Sequence, residues 1–151
     1  MNYWLMKTEP EVFGIEDLKK KKREPWTGVR GYAARNHMQS MKLGDRVLFY
    51  HSSAKPSGVA GLARVAKEAY PDHTSWDPKS EYFDKKSTEE KPLWFMVDVE
   101  YDSTFKNYLS LDSLKKEKPL KNMILFKEGR LSVQPVSKEE FEWICRLGTA
   151  G

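Results

Sequence analysis

The sequence predicts a mixed α+β fold, a strongly curved mixed sheet or small β-barrel flanked by short helices. Three observations predict it. Five or more segments are rich in β-branched and aromatic residues, three to five others have helical spacing, and Gly, Pro and Asp punctuate the junctions. The aromatic content of 13% supplies large apolar side chains for a core, although 32% of the chain is charged. At 151 residues, residues 1–151 are expected to form one domain that buries about two-thirds of its unfolded surface.

Taken in order, Tyr3 to Lys7 is a compact apolar run before Pro10, as in a buried strand. Gly14 to Lys22 predicts a short helix with Ile15 and Leu18 inward and Glu16-Asp17 near its positive end. Lys19 to Arg23 follows as five consecutive cations, a solvated helix end or a steering patch for a polyanion. Tyr32 to Met41 predicts a helix that stops before the turn signal Leu43-Gly44-Asp45. Asp45 to Tyr50 and Val59 to Ala69 predict strands around a Ser52–Gly58 loop. Alternation along the first puts Leu48, Tyr50 and Ser52 on one face and Val47, Phe49 and His51 on the other. Pro71 to Pro92 is irregular, and its embedded Trp76, Tyr82 and Phe83 imply that it folds back onto the body. Leu93 to Tyr101 predicts a strand, Ser110 to Lys118 a helix, and Arg130 to Pro135 a last strand. Ser137 and Glu140 have the spacing of a capping box, which starts a final helix with Phe141, Ile144, Cys145 and Leu147 inward.

Composition narrows the function. The formal charge is +4, and the first 75 residues hold 13 basic against 8 acidic side chains, whereas the rest hold 13 against 14. The basic excess therefore lies in the half that also carries the densest aromatic and amide chemistry, as a phosphate-binding face requires. Cys145 is the only cysteine, which leaves no intramolecular disulfide and no multi-cysteine zinc site. His37, His51 and His73 lack the spacing of a helical metal pair, so neither metal nor cofactor is expected. No secretory signal and no apolar run of about 20 residues occurs. The expectation is a soluble monomer without membrane association, cytoplasmic in a bacterium or nuclear in a eukaryote.

Residues 26 to 36 are the most informative stretch, with Trp26, Arg30, Tyr32, Arg35 and Asn36 punctuated by Gly28 and Gly31. Aromatic rings stack on nucleobases, Arg neutralises phosphate, and a carboxamide reads a base edge. Trp26 is either the principal stacking wall or a core plug, and Tyr32 is a second wall. Asn36 is either a base-edge reader or a helix residue satisfied by its own backbone. Arg30 and Arg35 either meet the ligand or pair with Glu9 or Asp72. His51 or Ser52 faces the pocket at the end of its strand, and Lys7 joins Arg35 as a phosphate contact.

Several motifs recur together. Tyr3-Trp4-Leu5-Met6-Lys7-Thr8-Glu9-Pro10, Trp26-Thr27-Gly28-Val29-Arg30, Ala34-Arg35-Asn36, Gly44-Asp45, Phe49-Tyr50-His51-Ser52, Ala69-Tyr70-Pro71-Asp72 and Arg130 to Ser137 resemble, in register, the EVE domain family. Gly31 departs from that pattern, which usually has Asn there. The resemblance implies a PUA-like fold and kinship with domains that read methylated bases in DNA or RNA, where an unpaired nucleotide enters an aromatic-lined hollow. Extracting a base costs a few kcal/mol, and one stacking contact returns about 1–3 kcal/mol. Hydrogen bonds and phosphate contacts must therefore supply the rest. The expected function is a non-catalytic reader of a modified base with DNA or RNA as partner and no catalytic residues. Two alternatives stand beside it. One is a hydrolase of an acylated nucleobase using Lys7-Thr8-Glu9, which related ASCH-type domains resemble, although alternation should point Lys7 and Thr8 apart. The other is a protein-interaction module using the Trp76–Phe83 loop.

Overall fold

A computed structural model describes residues 1–151. Six strands form one sheet: β1 (Tyr3–Thr8), β2 (Arg23–Pro25), β3 (Arg46–His51), β4 (Gly58–Pro71), β5 (Phe95–Ser110) and β6 (Val133–Val136). Their spatial order is β2-β5-β4-β3-β1-β6. The β1–β3 pairing is parallel, with Leu5 opposite Leu48, and every other pairing is antiparallel. The sheet curls without closing into a barrel, because β2 and β6 remain its two edges. Register shifts at four places along the β4–β5 pairing and one between Phe49 and Tyr50 supply the curvature.

Alternation along β1 and β3 sends successive residues into two separate cores. Trp4, Met6, Val47 and Phe49 join a 17-residue cluster beneath α2 (Ile15–Lys21) and α3 (Tyr32–Ser40). Leu5, Leu48 and Tyr50 join a 14-residue cluster with Phe141 and Ile144 of α6 (Lys138–Thr149). Both faces of the central strands are therefore covered, and these strands are nearly continuous in apolar residues. The capping box at Ser137 forms as expected: Glu140 N–H donates to Ser137 Oγ at 3.1 Å, and Ser137 N–H donates to Glu140 Oε1 at 2.9 Å.

The departures have local causes. β2 lies in a charged run with no strand signature and exists because it pairs with β5, Glu24 opposite Val99. β5 continues beyond Tyr101 through polar residues as far as Ser110, where β4 offers it a partner. β6 begins at Val133 rather than Arg130, since Leu131 N–H turns back to Glu128 O. Two one-turn helices, α1 (Pro10–Phe13) and α5 (Ile124–Lys127), are too short to show a period; between them in the chain lies α4 (Leu111–Lys115). The 72–94 excursion does fold back: Asp72, Ser75, Ser87 and Trp94 are all buried. No helix is long and apolar enough to cross a membrane.

Candidate nucleic-acid interface

A cleft of about 680 Å³ opens beside the C-terminal end of β1, within the size range of about 300–1,000 Å³ usual for ligand pockets. Val12, Phe13, Pro25, Trp26 and Val29 line it with apolar surface, and Lys7, Thr8, Thr27, Ser52, Ser53 and Ser132 line it with polar groups. Of the predicted residues, Lys7, Trp26, Arg30 and Ser52 meet there. Tyr32, Arg35, Asn36 and His51 do not.

Trp26 is the floor of this cleft rather than an open wall. Its ring meets Phe49 edge-on at 5.7 Å, its backbone N–H donates to Val97 O at 2.7 Å, and only 7% of its surface is exposed. Of the two readings of this residue, the core plug describes its packing.

Of the two roles expected for Arg30, the structure shows the pairing with Asp72, as part of a clamp. Nε donates to Tyr82 O at 3.0 Å, NH1 to Val29 O and Asp72 Oδ2 at 2.8 and 3.0 Å, and NH2 to Thr74 Oγ1 and Tyr82 O at 3.1 and 2.8 Å. A guanidinium has five N–H donors, so none is left for a phosphate. Asp72 is wholly buried and also accepts from Gly28 N–H at 2.9 Å and from Thr74 N–H and Oγ1–H at 2.9 and 2.6 Å. Burial alone would raise its pKa; the bonds from Thr74, Gly28 and Arg30 reverse this and hold the carboxyl below its ordinary range. The clamp ties the Trp26–Arg30 loop to the 72–94 excursion. Gly28 is required at their contact: its φ is +84°, and a Cβ there would stand 2.8 Å from the Tyr82 ring.

Of the pair His51 and Ser52, it is Ser52 that lines the cleft, and His51 faces α2. Its Nε2 accepts from Ile15 N–H at 3.1 Å, so it satisfies one of the free amides that start α2. Burial lowers its pKa, against a smaller opposing effect of Asp17. The unfolded chain thus binds the proton more readily, so this contribution to stability is intact above about pH 6.5 and lost as acid takes the pH below that value. Urea midpoints are expected to fall between pH 7 and 5.5, and His51→Gln is expected to flatten that slope. A slope unchanged by the substitution would refute the assignment.

The α3 residues lie outside the cleft. Arg35 donates from Nε and NH2 to Asn36 Oδ1 at 3.2 and 2.9 Å and from NH1 to Leu93 O at 3.1 Å. Tyr32 is 57% exposed. Asn36 is not among the residues that line the cleft over Trp26.

Lys7 does line the cleft. Its Nζ donates to Gly129 O at 2.9 Å, no carboxylate lies within ion-pair distance, and burial lowers its pKa. Thr8 and Glu9 line the cleft as well, contrary to the expectation from alternation, because β1 ends at Thr8. Thr8 Oγ1 donates to Phe13 O at 3.0 Å, and no hydrogen bond joins it to Lys7 in a nucleophile–base pair.

Arg130 and Tyr82 are among the lining residues that the sequence did not mark as part of the site. Arg130 is exposed at the cleft with no ion pair or hydrogen bond to its side chain, and in the sequence it stood out only as the start of a strand and of one family motif. Tyr82 sits in the aromatic loop read as a protein-interaction surface, yet its ring covers Gly28. The lining is electrostatically mixed, with Glu9, Glu24 and Glu81 beside Lys7, Arg30 and Arg130.

A curled, unclosed six-stranded sheet with an amphipathic cleft at the end of its central parallel pair defines a PUA-like domain. The EVE domain model matches residues 2–147, and the chain belongs to that family. Human thymocyte nuclear protein 1 is 43% identical over 165 residues, covering 97% of this chain and 73% of that protein. A solved structure of human THYN1 in complex with 5-methylcytosine-containing DNA superposes with a TM-score of 0.95 at 43% identity, covering 100% of this chain and 99% of that one. A hypothetical protein from Leishmania major superposes at 0.96 with 53% identity, covering 98% and 94%.

Proposed function

We propose that this chain is a non-catalytic reader of a methylated base in DNA, with 5-methylcytosine as the modified base, and that the cleft over Trp26 receives that base. The observation that carries the reading is the amphipathic cleft itself, in a chain 43% identical to a protein solved with 5-methylcytosine-containing DNA. Its apolar side, Val12, Phe13, Trp26 and Val29, suits the added methyl and the ring faces. Thr27 and Ser52 offer hydroxyls to the base edge. Lys7, which has no protein counter-ion, meets the backbone phosphate. Arg30 and His51 position this surface without touching the ligand. As a nuclear or bacterial cytoplasmic protein, such a module acts as a monomer on one strand.

Two oligonucleotides that differ only in one cytosine methyl, compared at fixed salt, test the reading. Burying the methyl is worth about 0.8 kcal/mol, so the methylated strand is expected to bind about fourfold tighter. Equal affinities would end the proposal. Lys7→Gln is expected to weaken both complexes and reduce the slope of log K against log salt by about 0.7, the share of one phosphate contact on a single strand. An unchanged slope would remove Lys7 from the phosphate path.

A further inference from the structure

Tyr32, Arg35 and Asn36 have base-binding chemistry, lie outside the cleft, and are joined to it by a continuous column of rings and cations. The Tyr82 ring, at the cleft wall, stands 5.8 Å from the Arg30 guanidinium. The other neighbour of that guanidinium is the Trp94 ring at 5.6 Å. Trp94 is buried and anchored by its Nε1–H to Asp84 Oδ2 at 2.8 Å. Beyond it, Tyr32 lies at 5.0 Å with the two rings 32° apart. Every member up to Trp94 is held by hydrogen bonds or burial, and the last ring is exposed.

The position of Arg35 shows which part of the Tyr32 ring is open. Its guanidinium is 5.0 Å from Tyr32 and 5.9 Å from Trp94. A cation on the outer face of Tyr32 would stand roughly twice the ring spacing from Trp94, whereas these three centres make a nearly equilateral triangle. Arg35 and Trp94 therefore lie to one side of Tyr32 rather than on opposite faces of it, which leaves the rest of that ring to solvent, consistent with its 57% exposure. Arg35 keeps two N–H groups unused, and the Asn36 carboxamide nitrogen has no partner within the protein. A flat acceptor-rich ring laid on Tyr32 would thus find a rigid aromatic support and hydrogen-bond donors on the same helix.

We infer that Tyr32, with Arg35 and Asn36, is a second stacking site that takes an unpaired nucleobase neighbouring the one in the cleft on the same strand. The inference rests on the cleft reading for its choice of ligand, and it assigns to a separate subsite the residues that the sequence groups with Trp26. Stacking is tolerant of base identity because every base has a π-face, so this site adds affinity and single-strand preference. Discrimination of the methyl belongs to the cleft.

The test uses the full chain and single-stranded oligonucleotides containing one 5-methylcytosine, either intact or with an abasic site on its 5′ or 3′ side. Tyr32→Leu is expected to weaken binding of the intact strand about 5- to 150-fold, the range for one stacked base, and Tyr32→Phe to retain it. One of the two abasic strands is expected to bind wild type and Tyr32→Leu equally. Equal binding of the intact strand by wild type and Tyr32→Leu would overturn the inference. A Tyr32→Leu defect that persists on both abasic strands would overturn it too, since that pattern reports a structural role. The cleft reading is judged separately by the wild-type ratio for methylated and unmethylated strands: a ratio of one sinks it, while the flank dependence still decides the Tyr32 site.

Discussion

Asp72→Ala is expected to destabilise the fold by about 3–5 kcal/mol in urea unfolding, the cost of leaving a half-buried arginine without its carboxylate. Arg30 loses that partner, and the Gly28 and Thr74 amides lose theirs. Asp72→Asn is expected to fall between wild type and alanine, because its amide nitrogen must face either the Gly28 or the Thr74 N–H as donor against donor. The pH dependence follows from the carboxyl being held below its ordinary range in the fold, where the hydrogen bonds outweigh burial. The contribution of the carboxylate is complete above the unfolded value of about 3.9 and is lost as the pH falls through the lower folded value. Acid unfolding should therefore steepen below pH 4 in wild type and flatten in Asp72→Asn. A loss under 1 kcal/mol for the alanine variant would show that the clamp does not hold the two loops together.

Trp26→Ala is expected to cost about 3–5 kcal/mol, as for other large aromatic truncations in cores. The indole packs against Phe49 inside a 17-residue cluster, so its removal opens a cavity between the sheet and the cleft. Because stability and cleft shape change together in that variant, binding is better read in Trp26→Phe, which keeps most of the packing. Trp26→Phe is expected to bind methylated oligonucleotide several-fold more weakly while remaining folded at the assay temperature. Unchanged affinity would remove the indole from the floor of the site.

These two residues show how differently the sequence speaks about structure and about site. The pattern Tyr3 to Lys7, the apolar and aromatic run Val47 to Tyr50 and the Ser137–Glu140 box are local signals, and each produced its element at nearly the expected place. β2 and the C-terminal half of β5 carried no such signal, since their strand character comes from the partner opposite them. In the site, proximity along the chain was a poor guide to convergence. The Trp26–Asn36 stretch divides between a loop and a helix, so Trp26 and Arg30 line the cleft while Tyr32, Arg35 and Asn36 turn to another surface. Lys7, Ser52 and Arg130, distant in sequence, line one cleft because β1, β3 and β6 are neighbours in the sheet.

The sequence by itself determined the α+β class, the positions of most elements, the family, and the pool of aromatic, basic and amide groups from which a binding site is drawn. All of these depend on short-range pattern or on motifs kept in register. The tertiary structure alone decided which cations remain free. Arg30 has spent every donor on Asp72, Thr74 and the carbonyls of Val29 and Tyr82, whereas Lys7 has no carboxylate beside it. A guanidinium looks the same in a sequence whether its hydrogen bonds are satisfied or open, and that difference is settled here by four bonds to groups more than forty residues away.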